Sequence, residues 1–238
     1  MQFVQADEQV FHKNRLRVSI PDFRTRPRVG RKGRAGGADR MAPFQLLWPA
    51  RPTGPRGTCS IMDFSFKCAS CDEVHHGLPS FGADAPQTYY AVAPEEREQR
   101  CDLGSDDCVI DEQYFYVRGC IELPIEGHPE PFVWGVWVSL SLDSYETWVR
   151  MSDEPKRSQT PPLFGWLTTR LDPYPDTMGL KTHVHLRDDG IRPLIELEPT
   201  SHPLAVEQRE GITIERVAEI YALLVHGQAS AVAPRQPV

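Results

Sequence analysis

No uncharged apolar run in the 238 residues is long enough for a membrane-spanning helix, which needs about 20 consecutive apolar residues. The first residues also lack the short apolar core of an export signal. There is no Ser-centred nucleophile elbow, no phosphate-cradling glycine loop, no dinucleotide fingerprint and no internal repeat. These absences exclude the enzyme classes that announce themselves by a short motif. The expectation is a soluble, unexported, cytoplasmic protein whose function must be sought in scattered residues.

Charge is unevenly supplied. Residues 1–61 hold 12 Lys and Arg against 4 Asp and Glu, leaving 14 against 29 of the chain's 26 and 33 for the remainder. The net charge of −7 therefore describes neither part. The first part is rich in Arg, Pro and Gly and has no sustained apolar period, so it reads as a disordered leader. Its meaning is a nucleic-acid-binding arm, a transit peptide, or residues upstream of a true start at Met62, and the last is favoured. It has few aromatics to stack on bases and no groove-reading motif, which makes nucleic acid an unlikely partner. With 40% hydrophobic and 25% charged residues, the chain has the content of a globular domain. One such domain is expected over 62–227, followed by a loose tail over 228–238.

Period and punctuation outline this domain. Phe64 and Phe66 alternate with polar residues as in a half-buried strand, and a loop is expected from His75 to Pro86. Pro94, Glu95 and Glu96 open a short helix. After an acidic loop, residues 113–125 and 132–142 read as an antiparallel pair of strands rich in aromatic and β-branched residues. A helix capped by Asp143 or Ser144 follows, then a strand over 164–171. A hairpin turns at Asp188-Asp189-Gly190. Thr213 caps a terminal helix with an apolar stripe that Gly227 should end. The fold class is α+β, a largely antiparallel sheet with flanking helices and an N-terminal zinc-knuckle-like turn.

Several strings together carry a resemblance. They are Cys68-x-x-Cys71 with His75 and Leu78-Pro79, Asp107-Cys108-Val109-Ile110-Asp111, Phe115 to Gly119, Trp134 to Leu140, Gly165-Trp166-Leu167, and His202 to Gln208 with Gly211-Ile212. On these residues the chain resembles the uncharacterised bacterial family catalogued as domain of unknown function 2199. The resemblance covers nearly the whole domain, starts near the cysteine pair and implies no activity. Asp72 stands where the family usually has Gly. A knuckle turn asks for positive φ there, which Asp tolerates better than most residues.

Cys-x-x-Cys offers two thiolates from one turn, and zinc takes four ligands in a tetrahedron. In an unexported chain such a pair points to metal or redox chemistry rather than disulfides. The expected ligand set is Cys68, Cys71, His75 and Cys108, with Cys101 and His76 in reserve. A thioredoxin-type pair would open a helix within a βαβ pattern, which is missing here. Four protein ligands make the zinc structural; a catalytic version would have three, with Glu73, Asp106 or Asp111 as acid or base. Asp106, Asp107, Asp111 and Glu112 lack calcium-loop spacing and read as a solvated turn. His183 and His185 share one strand face with Lys181 and Arg187, hence a solvated face rather than a metal pair. The four tryptophans at 134, 137, 148 and 166 read as core.

Two function classes stay open. A zinc-stabilised protein-binding or regulatory module with an unknown protein partner is favoured, because no complete catalytic set can be named. The alternative is a metal-dependent, hydrolase-like enzyme with an acidic pocket. Nucleic-acid contact through the basic leader is the weaker third.

Overall fold

The computed structural model describes residues 64–227, and before them only the backbone of Gln45–Leu46. The expected leader over 1–61 (those two residues apart) and the tail over 228–238 lie outside the described residues, all of which belong to one compact unit. Its strands are β1 (Gln45–Leu46), β2 (Ser65–Lys67), β3 (Val74–His76), β4 (Ser80–Gly82), β5 (Cys101–Leu103), β6 (Asp107–Ile110), β7 (Tyr114–Leu123), β8 (Phe132–Leu140), β9 (Leu163–Leu167), β10 (Lys181–His185) and β11 (Leu194–Leu197). The helices are α1 (Gln87–Ala91), α2 (Pro94–Arg100), α3 (Leu142–Met151), α4 (Pro203–Glu210) and α5 (Ile214–Tyr221), with a π-helical turn at Ala222–His226.

The fold is mixed α+β, built on the long hairpin β7–β8, whose register runs from Phe115↔Leu140 to Leu123↔Phe132. Each strand of this hairpin divides its outer edge between two partners. On β8 the first half pairs in parallel with β4 and the second half pairs with β9. On β7 the first half pairs with β6, and Cys120 meets Leu194 of β11 in parallel. Since β9 pairs with β10 and β10 with β11, strands β7 to β11 form a closed ring. The sheet is thus a small barrel with β1–β4 and β5–β6 attached to its hairpin, rather than an open sheet with helices along it. Closure removes the unpaired edges that an open sheet would leave.

Alternation along the strands fills the interior. Val117, Ile121 and Leu123 of β7, Phe132, Trp134, Val136 and Val138 of β8, and Leu167, Val184 and Ile195 are fully buried in one cluster. Two inward positions must lack a side chain. A Cβ on Gly119 would stand 2.5 Å from Ile195 Cδ1, and one on Gly165 would stand 2.4 Å from Val138 Cγ1. These are the crossings where strands approach most closely in so narrow a barrel.

Several local expectations are corrected. Ser141, not Asp143 or Ser144, caps α3, its hydroxyl accepting from the Ser144 amide. The stretch expected to be a loop from His75 to Pro86 contains β4, a three-residue strand too short to show a period and defined by its partner β8. Gly227 has φ −61° and does not end the last helix in a left-handed cap. Trp166 is 44% exposed on the outer face of β9, whereas Trp134 and Trp137 are fully buried. Its neighbours across the sheet are Ser139 and Lys181, so it points away from the barrel. Among the described residues, no helix is long and apolar enough to cross a membrane.

Candidate metal centre

The knuckle is a β2–β3 hairpin in which Phe66 faces His75. Its pairing continues through the Cys68 amide, which donates to the Glu73 carbonyl at 2.8 Å, and through Gly77 N–H to Phe64 O at 2.7 Å. Beyond the Cys68–Glu73 bond the chain turns over Cys68 to Cys71 with Asp72 at φ +58°. Asp thus adopts the left-handed conformation that the turn requires and that Gly would take without strain. Lys67 reaches its carboxylate at 3.0 Å across the turn.

This turn aims backbone N–H groups at sulfur. The Ser70 amide lies 3.5 Å from Cys68 Sγ. Burial opposes ionisation of Cys68, but the Ser70 and Cys71 amides and the Cys71 side chain hold its thiol below the ordinary range. Cys71 receives the Glu73 amide, yet burial and the Cys68 sulfur leave its thiol raised. Without a cation the two sulfurs share one site that favours a single negative charge, the behaviour of like groups held close together.

Two imidazoles complete the cluster. His75 Nε2 lies 3.4 Å from Cys71 Sγ. The other is His226, at the end of the π-helical turn, whose Nε2 is buried and makes no hydrogen bond. The ligand atoms of Cys68, Cys71, His75 and His226 all lie within 4.8 Å of one another. Zn–S bonds of about 2.3 Å and Zn–N bonds of about 2.0–2.1 Å put tetrahedral ligand atoms roughly 3.3–3.8 Å apart. Edges of at most 4.8 Å would need to contract by no more than about 1–1.5 Å to close on zinc. Two thiolates and two neutral imidazoles would leave a zinc site without net charge, which suits its partly buried position.

Tyr221 supports this arrangement. Its ring centroid lies 4.6 Å from His75, 5.2 Å from Phe66, 6.0 Å from His226 and 6.3 Å from Phe81. Both histidines thus rest on an aromatic ring that also touches the barrel core.

Three of the four expected ligands come together, and Cys108 does not join them. It lies on β6, fully buried with Val92, Ile110, Tyr116 and Trp137 on the outer side of the hairpin. Burial first, and then the charges of Cys101, Asp107 and Asp102, push its thiol up to about 12. The reason is strand geometry: β6 is locked onto β7 by the pair Cys108↔Tyr116, which directs the thiol into that second core. Of the reserves, Cys101 sits on β5 opposite Ile110, while His76 is exposed on the other face of β3 from His75.

Of the expected acids, Glu73 stays in the knuckle turn as an exposed residue whose carbonyl accepts from the Cys68 amide, and the others lie elsewhere. Asp111 forms a bidentate pair with Arg100 at 2.7 Å for both bonds. Asp106 accepts from Arg192 and Ser105, and Asp107 accepts from Tyr145. A groove of about 530 Å³ lies beside β11 and α4, lined by Ile125, Leu194 and Leu197 with Glu122 and Glu196 and containing no residue of the cluster. Both carboxylates are already engaged, by Arg187 and His185. Among the described residues the cluster around Cys68 is the grouping of metal-ligating side chains that the fold assembles.

The string His202 to Gln208 has a structural use, and His202 takes the capping place that its position before Pro203 suggests. His202 Nδ1 accepts from the Leu204 amide and caps α4. Glu207 accepts from Tyr174 and Arg216, and Gln208 bonds the Leu197 amide and the Ile195 carbonyl. One helical turn thereby ties α5 and a loop to β11.

Together these features define a closed-barrel domain with a Cys₂His₂ cluster at one side. The chain belongs to the family described as "Uncharacterized protein conserved in bacteria (DUF2199)", whose model matches residues 67–212. The match contains Cys68, Cys71 and His75 and ends before His226. No curated protein and no solved structure matches the chain.

Proposed function

We propose that the domain is a zinc-stabilised protein-binding or regulatory module of the cytoplasm in which Cys68, Cys71, His75 and His226 hold one structural zinc ion. The observation that carries this reading is the convergence of four ligand atoms of the right types, on residues that include His226, whose buried Nε2 has no hydrogen-bond partner. Buried polar atoms without partners are rare, and an ion is one of the ordinary explanations. Four side-chain ligands fill a tetrahedron and leave no position for a reacting water, which favours a structural over a catalytic role. Support for the binding role comes from the outer face of β9, where Phe164 and Trp166 are 41% and 44% exposed and meet edge to face at 5.3 Å. Two large aromatics left on a strand surface are anchors of the kind that interfaces use.

Elemental analysis tests the metal. Protein purified under reducing conditions without chelator should carry about one zinc per chain, as a mononuclear four-ligand site requires. The Cys71→Ser variant should carry much less. Metal-free wild-type protein that is as stable as after exposure to zinc would refute the reading.

A further inference from the structure

The last helix changes type before it reaches the cluster. After α5 the backbone widens into the π-helical turn Ala222–His226, closed by the Gly227 amide on the Ala222 carbonyl. Such turns span i to i+5, are rare, occur mostly as single turns inside α-helices, and are frequent at functional sites. The local sequence does not ask for one. Ala222, Leu223 and Leu224 are strong α-helix formers, and the turn contains neither Pro nor Gly.

What the turn accomplishes is the placement of His226. One residue of α-helical phase is about 100° around the axis. Rewinding the same residues as a regular α-helix would therefore swing the imidazole well out of the cluster. In the π conformation a ring nitrogen of His226 instead lies within 4.8 Å of the other ligand atoms, and its Nε2 is buried without a hydrogen-bond partner. The turn starts directly after Tyr221, whose ring rests on His75, Phe66 and Phe81 and so anchors the helix against both knuckle and core. Upstream geometry is thus held, and the freedom left is that of the last turn.

We infer that zinc occupancy selects this π turn, so that the metal site acts as a switch on the last turn of the helix. The inference rests on the zinc reading above. With zinc bound, His226 is a ligand and the wide turn is held in place. Without zinc, nothing offsets the rarer backbone and the unpartnered imidazole, and 222–227 relaxes to regular α-helix with His226 turned away. Zinc meets four ligands in one state and three in the other, which supplies the differential affinity that a population shift requires.

Amide hydrogen exchange on the full reduced chain, with zinc and after chelation, tests this. In the wild type, zinc should slow exchange across 218–227 by about tenfold or more. His226→Ala should bind zinc at least about tenfold more weakly. At saturating zinc it should still protect the knuckle at 68–76 while showing no zinc-dependent change at 218–227. A second variant, deletion of the exposed Leu223, removes the extra residue of the turn. A plain α-helix then brings His226 back to nearly the same side. This variant should bind zinc about as well as the wild type, and its helix should be protected with or without metal. Wild-type protein that binds zinc with unchanged exchange at 218–227 would overturn the switch and leave the zinc site standing. So would a His226→Ala variant of undiminished affinity, or a Leu223 deletion that folds but no longer binds zinc. Failure of the wild type to bind zinc at all would overturn both.

Discussion

The barrel and the candidate metal clasp are held together in opposite ways. In the barrel, stability is spread over many apolar side chains, and strands distant in sequence share one interior around Trp134 and Val136. In the clasp it is concentrated. A hairpin of three-residue strands and the end of one helix meet through a few rings and four ligand atoms, with Phe64 and Phe66 as the knuckle's link to the core. A diffuse core degrades by degrees when one group is lost, whereas a clasp of this size depends on each ligand. The small hairpin buries too little surface to hold its shape alone, which is the situation in which a structural metal adds binding free energy to folding.

The largest expected effect comes from breaking the barrel. Trp134→Ala removes a fully buried indole and should cost about 3–5 kcal/mol. Knuckle and barrel should then unfold together in a urea titration, with zinc present or absent. Selective loss of the knuckle alone would show that the two regions are less coupled than the shared core implies.

Breaking the clasp should cost less and act locally. At free zinc a hundred times its dissociation constant, chelation removes about 2.7 kcal/mol. Proteolysis should then open 64–77, while the near-ultraviolet signal of the buried Trp134 and Trp137 persists. An equal collapse of that signal would make zinc a requirement for the barrel as well.

Acid sharpens the comparison from the barrel side. Burial would raise the Asp106 carboxyl, but hydrogen bonds from Ser105 and Arg192 outweigh it and leave Asp106 below the ordinary range. Asp111 is lowered chiefly by its hydrogen bonds from Arg100. A carboxyl depressed in the folded state contributes stability above its unfolded value, near 3.9 for Asp. That contribution is lost as pH falls through the folded value. Thermal midpoints should therefore decline most steeply below about pH 4. Asp106→Asn should flatten this acid limb and lower the midpoint slightly at neutral pH. Both residues are partly exposed, so the effect is modest and should shrink with added salt.

The smallest expected change concerns Arg118. It is 8% exposed on the outer face of β7, with Nε and Nη2 buried and unbonded and the Trp137 ring 5.8 Å from Cζ. Burial first, and then Arg192, lowers its affinity for a proton. Replacing a poorly compensated buried charge by an apolar side chain is often neutral or stabilising. Arg118→Met should therefore leave the urea midpoint within about 1 kcal/mol of the wild type or raise it. A loss above about 3 kcal/mol would show a compensating interaction that the charge depends on.

Much of the local architecture was readable from residue order. The pairing of β7 with β8 follows from two runs of aromatic and β-branched residues joined by a turn, and Thr213 caps α5 through its hydroxyl at 3.2 Å from the Arg216 amide. Asp72 marked the position where the knuckle needs positive φ. Other features have no local signal. Strand β4 is three residues long and exists because β8 offers it an edge. The barrel closes through Cys120 and Leu194, a contact that no periodicity encodes. Trp166 resembles its buried counterparts in sequence, and the outward side of β9 sets it apart.

The candidate metal centre divides along the same line. Cys68, Cys71 and His75 lie within one hairpin, where thiolate chemistry and ligand spacing act over a few residues, so sequence alone determined that part of the cluster. The fourth position is a question of which distant element returns to the knuckle. Cys108 had the better ligand chemistry on paper, but its strand is hydrogen-bonded into the sheet and turns the thiol toward Trp137. His226 stands near the end of the domain, and the packing of α5 against β2 together with one π-helical turn brings it to the site. Ligand type is a property of the residue and can be read in order along the chain. Ligand position is a property of backbone hydrogen bonding and packing between elements far apart in sequence, and only the tertiary structure decided it.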